Sequence, residues 1–165
     1  MIIGVTGRRQ LPEENMPAIQ AAVKDYFADV TARREGIAVV LTSLARGTDT
    51  LCAKQALEAG MSLKVALPMK AGQYRKDFRK AEKAEFDCLL SLADEVCVVK
   101  PTEPLPEVPS RGFFYRQAAI YVVDRCDELV AIWDGVANET ADGAGTWPTI
   151  ELARQAGKPI HYIMI

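Results

Sequence analysis

Six short apolar runs alternate with segments of helical hydrophobic spacing, and this alternation constrains the fold more than any other feature of the chain. Apolar strands separated by helices predict parallel pairing, because each parallel crossover is long enough to hold a helix that covers the sheet. Right-handed crossovers then predict an α/β, Rossmann-like, doubly wound parallel sheet of about six strands with helices on both faces. The predicted strands are residues 1–5, 37–42, 63–68, 95–99, 128–134 and 159–165.

The helical segments have recognisable ends. Pro12, followed by two glutamates, predicts the start of the first helix, and Gly60 predicts the end of the second. The segment 100–112 contains four prolines and is expected to be a loop rather than a linker, so that residues 1–165 form a single domain. The other predicted helices cover residues 49–59, 77–92, 113–125 and 146–156.

Charge and composition exclude several classes of protein. The net charge is −2 with no block of like charge, which disfavours a membrane surface or duplex DNA as a partner. No apolar run approaches the roughly 18 residues of a membrane span, and the first run is too short for a signal peptide, so a cytoplasmic location is expected. The four cysteines are far apart and are expected to be buried free thiols. No metal or cofactor is expected, since the single histidine, His161, falls in the last predicted strand.

Glycine, hydroxyl and arginine residues are concentrated in the loops that follow the predicted strands. In a doubly wound sheet, ligands bind at the carboxyl ends of the strands near the switch point. Glycine lets backbone N–H groups approach an oxyanion, a helix N-terminus offers free N–H groups, and arginine presents a forked cation suited to phosphate. A nucleotide-like ligand is therefore expected, with Asp134 in reach of a ribose hydroxyl. The other candidate residues in these loops are Thr6, Gly7, Arg8, Arg9, Ser43, Arg46, Gly47, Thr48, Asp49, Gly145 and Thr146.

Several of these residues also have a purely structural interpretation. The glycines suit strand-to-helix turns, and Thr48 or Asp49 suits a helix N-cap. Arg46 either reaches a phosphate or pairs with Asp49 or Asp134 to hold its loop. Three aromatic side chains either stack on a ligand or pack against the protein: Tyr74, Tyr115 and Trp147.

Three stretches of the sequence resemble known families. "LTSLARGTDTLCAKQALEAG" resembles the S-G-x-A-R-G-I-D segment of the DNA-processing protein A (Smf) family, with Leu44 in place of the glycine. "GFFYRQAAIYVVDRCDELVAIWDG" and "GAGTWPTIELA" resemble the LOG (Lonely Guy) family, which has an M-H-x-R-K helix and a P-G-G-x-G-T-x-x-E motif. Both families belong to the SLOG superfamily. "GVTGRRQL" and "ALPMKAGQY" resemble its YpsA-like branch, so the resemblance covers nearly the whole chain.

The LOG resemblance implies particular roles for matched residues. The helix arginine falls on Arg116 and would serve cleavage of a nucleoside monophosphate at the N-glycosidic bond. The phosphate cradle falls on Gly143, Gly145 and Thr146. The motif glutamate falls on Thr149, so the carboxylate that such hydrolysis needs is missing. Binding is therefore better supported than catalysis, with Arg116 and Asp134 as weak catalytic candidates.

Three functional hypotheses follow. The first is a sensor or carrier that binds a nucleotide or a nucleotide-derived small molecule. The alternative is a nucleotide N-glycosidic hydrolase in which Asp49, Asp134 or Asp142 supplies the carboxylate. The third is a single-stranded nucleic-acid-binding module, although the slightly acidic chain and the core positions of most aromatic residues make nucleic acid an unlikely partner. Members of the superfamily commonly self-associate, which leaves a homo-oligomer possible.

Overall fold

A parallel sheet of six strands forms the centre of the computed structural model, which describes residues 1–33 and 36–165. The strands are β1 (Ile2–Gly7), β2 (Val39–Thr42), β3 (Ser62–Leu67), β4 (Glu95–Val98), β5 (Glu128–Trp133) and β6 (Ile160–Met164). Their order in the sheet is β4-β3-β2-β1-β5-β6, and each neighbouring pair is parallel. The predicted Rossmann-like α/β sheet is therefore confirmed.

The strand order places a switch point between β1 and β5. The chain runs outward from β1 to β4 and then returns to β5 on the other side of β1. The loops that leave the carboxyl ends of β1 and β5 consequently diverge, and a crevice opens between them. Ligands bind at such a crevice in open α/β sheets.

Helices cover both faces of the sheet. On one face, apolar side chains of α1 (Met16–Ala32), α2 (Thr48–Glu58) and α4 (Lys80–Leu92) pack against Ile3, Val40 and Val65. On the other face, α5 (Arg111–Arg125) and α6 (Thr146–Gln155) pack against Leu41, Ala66 and Leu129. The long helix α5 crosses β1 closely, because Gly4 leaves no side chain between that strand and Val122. The loops at the switch point therefore rest on a two-layered core.

The predicted helix over 77–92 is interrupted. The structure has a one-turn helix α3 (Ala71–Tyr74), a 3₁₀ turn (Arg75–Asp77) and then α4, which begins only at Lys80. Phe78 is extended (φ −92°, ψ 142°) and buried, and its ring packs against Phe86 with the centroids 4.5 Å apart. The helix restarts where the N–H of Arg79 donates to Glu82 Oε2 at 2.8 Å. A second 3₁₀ turn (Glu13–Asn15) precedes α1, which begins four residues after Pro12.

The cysteines differ in their exposure. Cys52 and Cys126 are buried free thiols as expected, whereas Cys97 is half-buried and Cys88 is exposed on α4. The expectation was wrong for Cys88, because its position on the helix faces solvent rather than the sheet. Within residues 1–33 and 36–165, no helix combines the length and apolar character that crossing a membrane requires.

Candidate functional site

A cavity of about 420 Å³ opens at the carboxyl ends of β1 and β5, where the fold places its switch point. Its walls come from the end of β1, the loops after β1, β2 and β5, one side of α5 and the first turn of α6. The cavity brings together many residues that the sequence places in separate loops. The predicted residues that line it are Thr6, Gly7, Arg8, Arg9, Ser43, Asp49, Tyr115, Gly145 and Thr146.

The first turn of α6 faces this cavity without a side-chain cap. Gly145 is its N-cap residue, with φ 115° and ψ −178°, and no side chain in the described structure bonds to the N–H groups of that turn. A Cβ built on Gly145 would meet nothing nearer than Pro148 Cδ at 3.9 Å, so the space in front of the turn is open. Free N–H groups and the helix dipole make this turn able to bind an anion.

Two arginines from the loop after β1 lie beside the same cavity. A guanidinium nitrogen of Arg8 lies 3.7 Å from Asp134 Oδ2, and its side chain is about half exposed. The Arg9 guanidinium lies 4.4 Å from the centre of the Tyr115 ring, a cation–π arrangement. Together they give the cavity a cationic side.

Tyr115 is held in place by an acidic side chain outside the cavity. Its hydroxyl donates to Asp77, which also accepts from Arg111 Nη2 at 2.6 Å. Burial and the hydrogen bond to Asp77 raise the pKa of Tyr115, so the ring stays neutral. The cavity therefore has a fixed aromatic wall on which Arg9 rests.

A buried carboxyl group anchors the loop after β2. Asp49 Oδ2 accepts hydrogen bonds from Thr42 Oγ1 at 2.8 Å, Ser43 Oγ at 3.0 Å and the Ala45 N–H at 3.2 Å. Burial raises the pKa of Asp49, although these three hydrogen bonds oppose that effect. Asp49 thus holds the turn from inside while its carboxyl group forms part of the cavity wall.

The segment Arg46–Thr48 does not line the cavity, and it supports the loop after β1 instead. Thr48 donates to the Arg8 carbonyl from both its N–H (3.1 Å) and its Oγ1 (3.0 Å). Gly47 has φ 75°, and a Cβ there would overlap the carbonyl oxygens of Arg8 and Arg9. The first N–H of α2 is therefore already occupied by protein.

Arg46 is paired, but the predicted partners were wrong. Its Nε and Nη2 donate to the two carboxylate oxygens of Glu82 at 2.7 and 3.0 Å, rather than to Asp49 or Asp134. Glu82 lies on α4 and does not line the cavity. Arg46 therefore joins α2 to α4.

The remaining predicted residues lie outside the cavity lining. Tyr74 is 2% exposed, and its ring packs edge-on against Phe78 and Phe86, which supports the packing interpretation. Asp134 Oδ1 accepts the Val136 N–H at 2.9 Å, and its other oxygen faces Arg8. Trp147 stacks on Trp133 with the ring centroids 5.4 Å apart, so it too packs on protein.

Arg116 and Gly143 touch each other behind the cavity. Arg116 Nη1 donates to the Gly143 carbonyl at 3.1 Å, and Nε donates to Glu103 Oε1 at 2.8 Å. Neither residue is part of the cavity lining. The matched LOG arginine thus has protein partners here.

Thr149, where the LOG resemblance places the motif glutamate, lines the cavity and donates from Oγ1 to the Gly145 carbonyl at 2.7 Å. Reasoning from sequence missed other parts of the cavity. Gly112 lies against the Asp142 carboxylate with no room for a Cβ. Ser110 caps α5 by accepting the Phe113 N–H at 3.0 Å, a sequence signal that would have placed the helix start beside the cavity. The other lining residues not predicted as ligand contacts are Val5, Ala45, Ala119, Val122, Thr140 and Ala144.

Comparison with known proteins finds matches of structure but not of sequence. No family model and no curated protein matches the sequence. The structure of DNA processing protein A from Streptococcus pneumoniae matches with a TM-score of 0.62 and 17% identity, over 97% of this chain and 49% of that one. DNA processing protein A from Helicobacter pylori, whose structure addresses its single-stranded DNA binding mode, matches with a TM-score of 0.60 and 13% identity, over 98% of this chain and 64% of that one.

The fold is shared with DNA processing protein A. A structural genomics target, TM1055, also has this fold, with a TM-score of 0.56 and 14% identity, over 96% of this chain and 71% of the other. The chain spans about half of the pneumococcal protein and under two thirds of the Helicobacter protein. The expectation that the sequence motifs implied is thus confirmed for the fold.

Proposed function

We propose that this protein binds a nucleotide, or a small molecule derived from one, in the cavity at the switch point. The observation that carries the proposal is the uncapped first turn of α6, which faces open space beside Arg8 and Arg9. Free N–H groups and two guanidinium groups on one cavity suit a phosphate better than a neutral ligand. A phosphate in front of Gly145 would complete the hydrogen bonding of that turn.

The rest of the cavity suits the other parts of a nucleotide. Its volume of about 420 Å³ lies within the range of small-molecule sites, roughly 300–1,000 Å³. Hydroxyl groups of Thr6, Ser43 and Thr140 and the carboxyl group of Asp49 line it, and these groups suit ribose hydroxyls. Tyr115 offers an aromatic face.

A thermal-shift screen tests this function. AMP, ADP, ADP-ribose and NAD are compared with adenosine, which has the base and ribose but no phosphate. A ligand at a hundredfold excess over its Kd adds about 2.7 kcal/mol to the free energy of unfolding. We expect at least one phosphorylated compound to raise the Tm and adenosine to leave it unchanged. Equal effects of adenosine and its phosphates, or no effect of any compound, would reject the proposal.

Hydrolysis of the N-glycosidic bond is a second candidate, because Asp49 and Asp142 both line the cavity. Thr149 stands where the LOG motif has its glutamate. Either aspartate could supply the missing carboxylate, because a general acid or base must lie within reach of the reacting group. Incubation of the wild-type protein with nucleoside monophosphates, followed by chromatography of the free base, separates binding from hydrolysis. Turnover would favour the hydrolase.

Single-stranded DNA binding is a third candidate, favoured by the fold shared with the Helicobacter protein and opposed by the net charge of −2. A general single-strand binder needs a basic groove and aromatic platforms, and Tyr74 and Trp147 are packed on protein instead. We expect a Kd for an oligonucleotide in the non-specific range, about 10⁻⁴ to 10⁻⁶ M at physiological salt. Nanomolar binding at that salt would make DNA the preferred ligand.

A further inference from the structure

All three nitrogen atoms of the Arg116 guanidinium group donate to protein acceptors. Nε and Nη2 donate to the two oxygens of Glu103 at 2.8 and 3.4 Å, and Nη1 donates to the Gly143 carbonyl at 3.1 Å. Glu103 belongs to the proline-rich segment after β4, and Gly143 belongs to the loop that leads into α6. One side chain on α5 therefore joins two loops that are far apart in sequence.

Glu103 is itself fixed by a buried amide. Gln117 is 2% exposed, and its Nε2 donates to Glu103 Oε1 at 2.8 Å. Its Oε1 accepts the N–H groups of Thr102 at 3.0 Å and Glu103 at 3.2 Å. The hydrogen bond from Arg116 lowers the pKa of Glu103, so the carboxylate stays charged. Release of Arg116 from this pair would leave the carboxylate with Gln117 as its side-chain partner.

The absence of a side chain at Gly143 allows Arg116 to lie close to its backbone. Its φ is 67°, and a Cβ there would lie 2.9 Å from Arg116 Nη1 and 3.0 Å from Arg116 Cδ. The Gly143 N–H donates to the Thr140 carbonyl at 3.2 Å, so both backbone polar groups of this residue are bonded. Two residues later Gly145 is the N-cap of α6, and Ala144 and Gly145 line the cavity. The position of the Gly143 carbonyl therefore sets where the first turn of α6 points.

We propose that Arg116, held by Glu103 and Gln117, is a positioning residue that orients the anion-binding turn of α6 without touching the ligand. The inference rests on the proposed function. If Arg116 is a positioning residue, ligand affinity depends on Glu103, which lies outside the cavity and is negatively charged like the ligand. It also explains why Arg116 remains in a chain where Thr149 replaces the glutamate that would work with it.

A direct contact between Arg116 and the ligand predicts the opposite result for one substitution. In Glu103→Gln, a guanidinium that serves the ligand directly would be freed, and a negative charge near an anion would be removed. Both effects would tighten binding. If Arg116 acts by positioning, the same substitution loosens the Gly143 anchor and weakens binding.

The test is a titration with ADP of the wild-type chain, Glu103→Gln and the matched control Glu107→Gln. Glu107 is exposed on the same loop, so its substitution removes an equal charge without touching Arg116. We expect Glu103→Gln to weaken ADP binding about tenfold, the size of one charged hydrogen bond, and Glu107→Gln to leave it unchanged. Arg116→Lys should weaken binding as well, and adding Glu103→Gln to it should cost little more. Unchanged or tighter binding by Glu103→Gln would overturn the proposal.

A second measurement tests the positioning role of Arg116 without relying on nucleotide binding. Hydrogen exchange is followed at the amides of Gly143 and Thr149, which donate to the carbonyls of Thr140 and Gly145. We expect both amides to exchange about tenfold faster in Glu103→Gln than in Glu107→Gln, whether or not ADP binds. Absence of ADP binding to the wild-type chain would count against the proposed function for this nucleotide. Equal exchange rates in the two variants would overturn the positioning role.

Discussion

Gly145 combines two properties that make it the central residue of the site. Its backbone, at φ 115° and ψ −178°, lies in a region that side chains strongly disfavour, and the space in front of it is open. A side chain at this position would therefore strain the backbone and project into the place proposed for an anion.

Gly145→Val should abolish ADP binding while the chain remains folded. The matched control is Gly157→Val, at the other end of α6, where φ is 67° and no atom would meet the new Cβ within 4 Å. Both variants should lose about 1–3 kcal/mol of unfolding free energy from backbone strain, but only the first should lose binding. Calorimetric titration and thermal melts check this. Binding by Gly145→Val within about threefold of the control, under about 1 kcal/mol, would place the anion elsewhere.

Thr149→Glu should give the site the carboxylate that the LOG motif has. Thr149 lies in the first turn of α6 and on the cavity wall, where a glutamate is also favoured by the helix dipole. We expect slow but detectable release of base from a nucleoside monophosphate, because the surrounding groups are not arranged for the new carboxylate. The control variant Thr149→Gln, whose side chain is the same size as glutamate but uncharged, should release no base. Equal release by both variants would show that another acid does the chemistry.

At the scale of elements, the start of α2 shows how the segment Arg46–Thr48 supports the cavity without lining it. Gly47 lets the loop after β1 lie directly on the helix, Thr48 bonds to that loop, and Arg46 reaches α4 through Glu82. The loop after β1 carries Arg8 and Arg9, so these contacts decide where both guanidinium groups stand.

Gly47→Ala should destabilise the fold much more than Gly60→Ala, although φ is 75° at both glycines. A Cβ at Gly60 meets nothing within 4 Å, so only the backbone strain of about 1 kcal/mol applies. At Gly47 the Cβ also overlaps the carbonyls of Arg8 and Arg9, which raises the cost to about 3 kcal/mol or more. Urea unfolding of the two variants measures the difference, and equal costs would contradict the close packing described for this loop.

The sequence predicted elements better than it predicted their contacts. The strands are short apolar runs, including the largely exposed edge strand β4, so β1 to β6 could be located, and the loops at their carboxyl ends follow from the topology. The partner of Arg46 could not be found, because Glu82 is 36 residues away and faces it only once α2 and α4 are packed. The interruption of the helix at Phe78 could not be predicted either. Phe78 has the spacing of an inward-facing helical residue, but in the structure its backbone is extended and its ring is still buried. The Glu103–Arg116 pair also depends on how a loop folds over α5.

At the scale of the whole molecule, carboxyl groups with opposite pKa shifts set the response of stability to pH. Arg46 lowers the pKa of Glu82 and Arg116 lowers that of Glu103, so the stability from both pairs is present above their unfolded pKa and is lost on acidification. Burial raises the pKa of Asp49, so its ionisation opposes folding as the pH rises through the folded-state value.

Asp49→Asn should therefore show a pH-dependent difference from the wild type. At about pH 7 the variant should be at least as stable, because the amide oxygen can still accept from Thr42, Ser43 and Ala45 while the buried charge is gone. The difference should shrink toward about pH 4, as the wild-type carboxyl group takes up a proton. Urea unfolding across this range measures it. A difference that grows on acidification would mean that Asp49 is stabilised as the anion.

The stacked pair of Trp133 and Trp147 has an optical consequence. These are the only two tryptophans of the chain, their rings are 16° from parallel, and Trp147 is separated from Gly145 by one residue. The intrinsic fluorescence of the protein therefore originates mainly at the rim of the α6 turn. If the proposed phosphate binds at that turn, it will change the electric field across the Trp147 indole, and we expect the emission to shift. Binding in the proposed site could therefore be followed by intrinsic fluorescence, without a label.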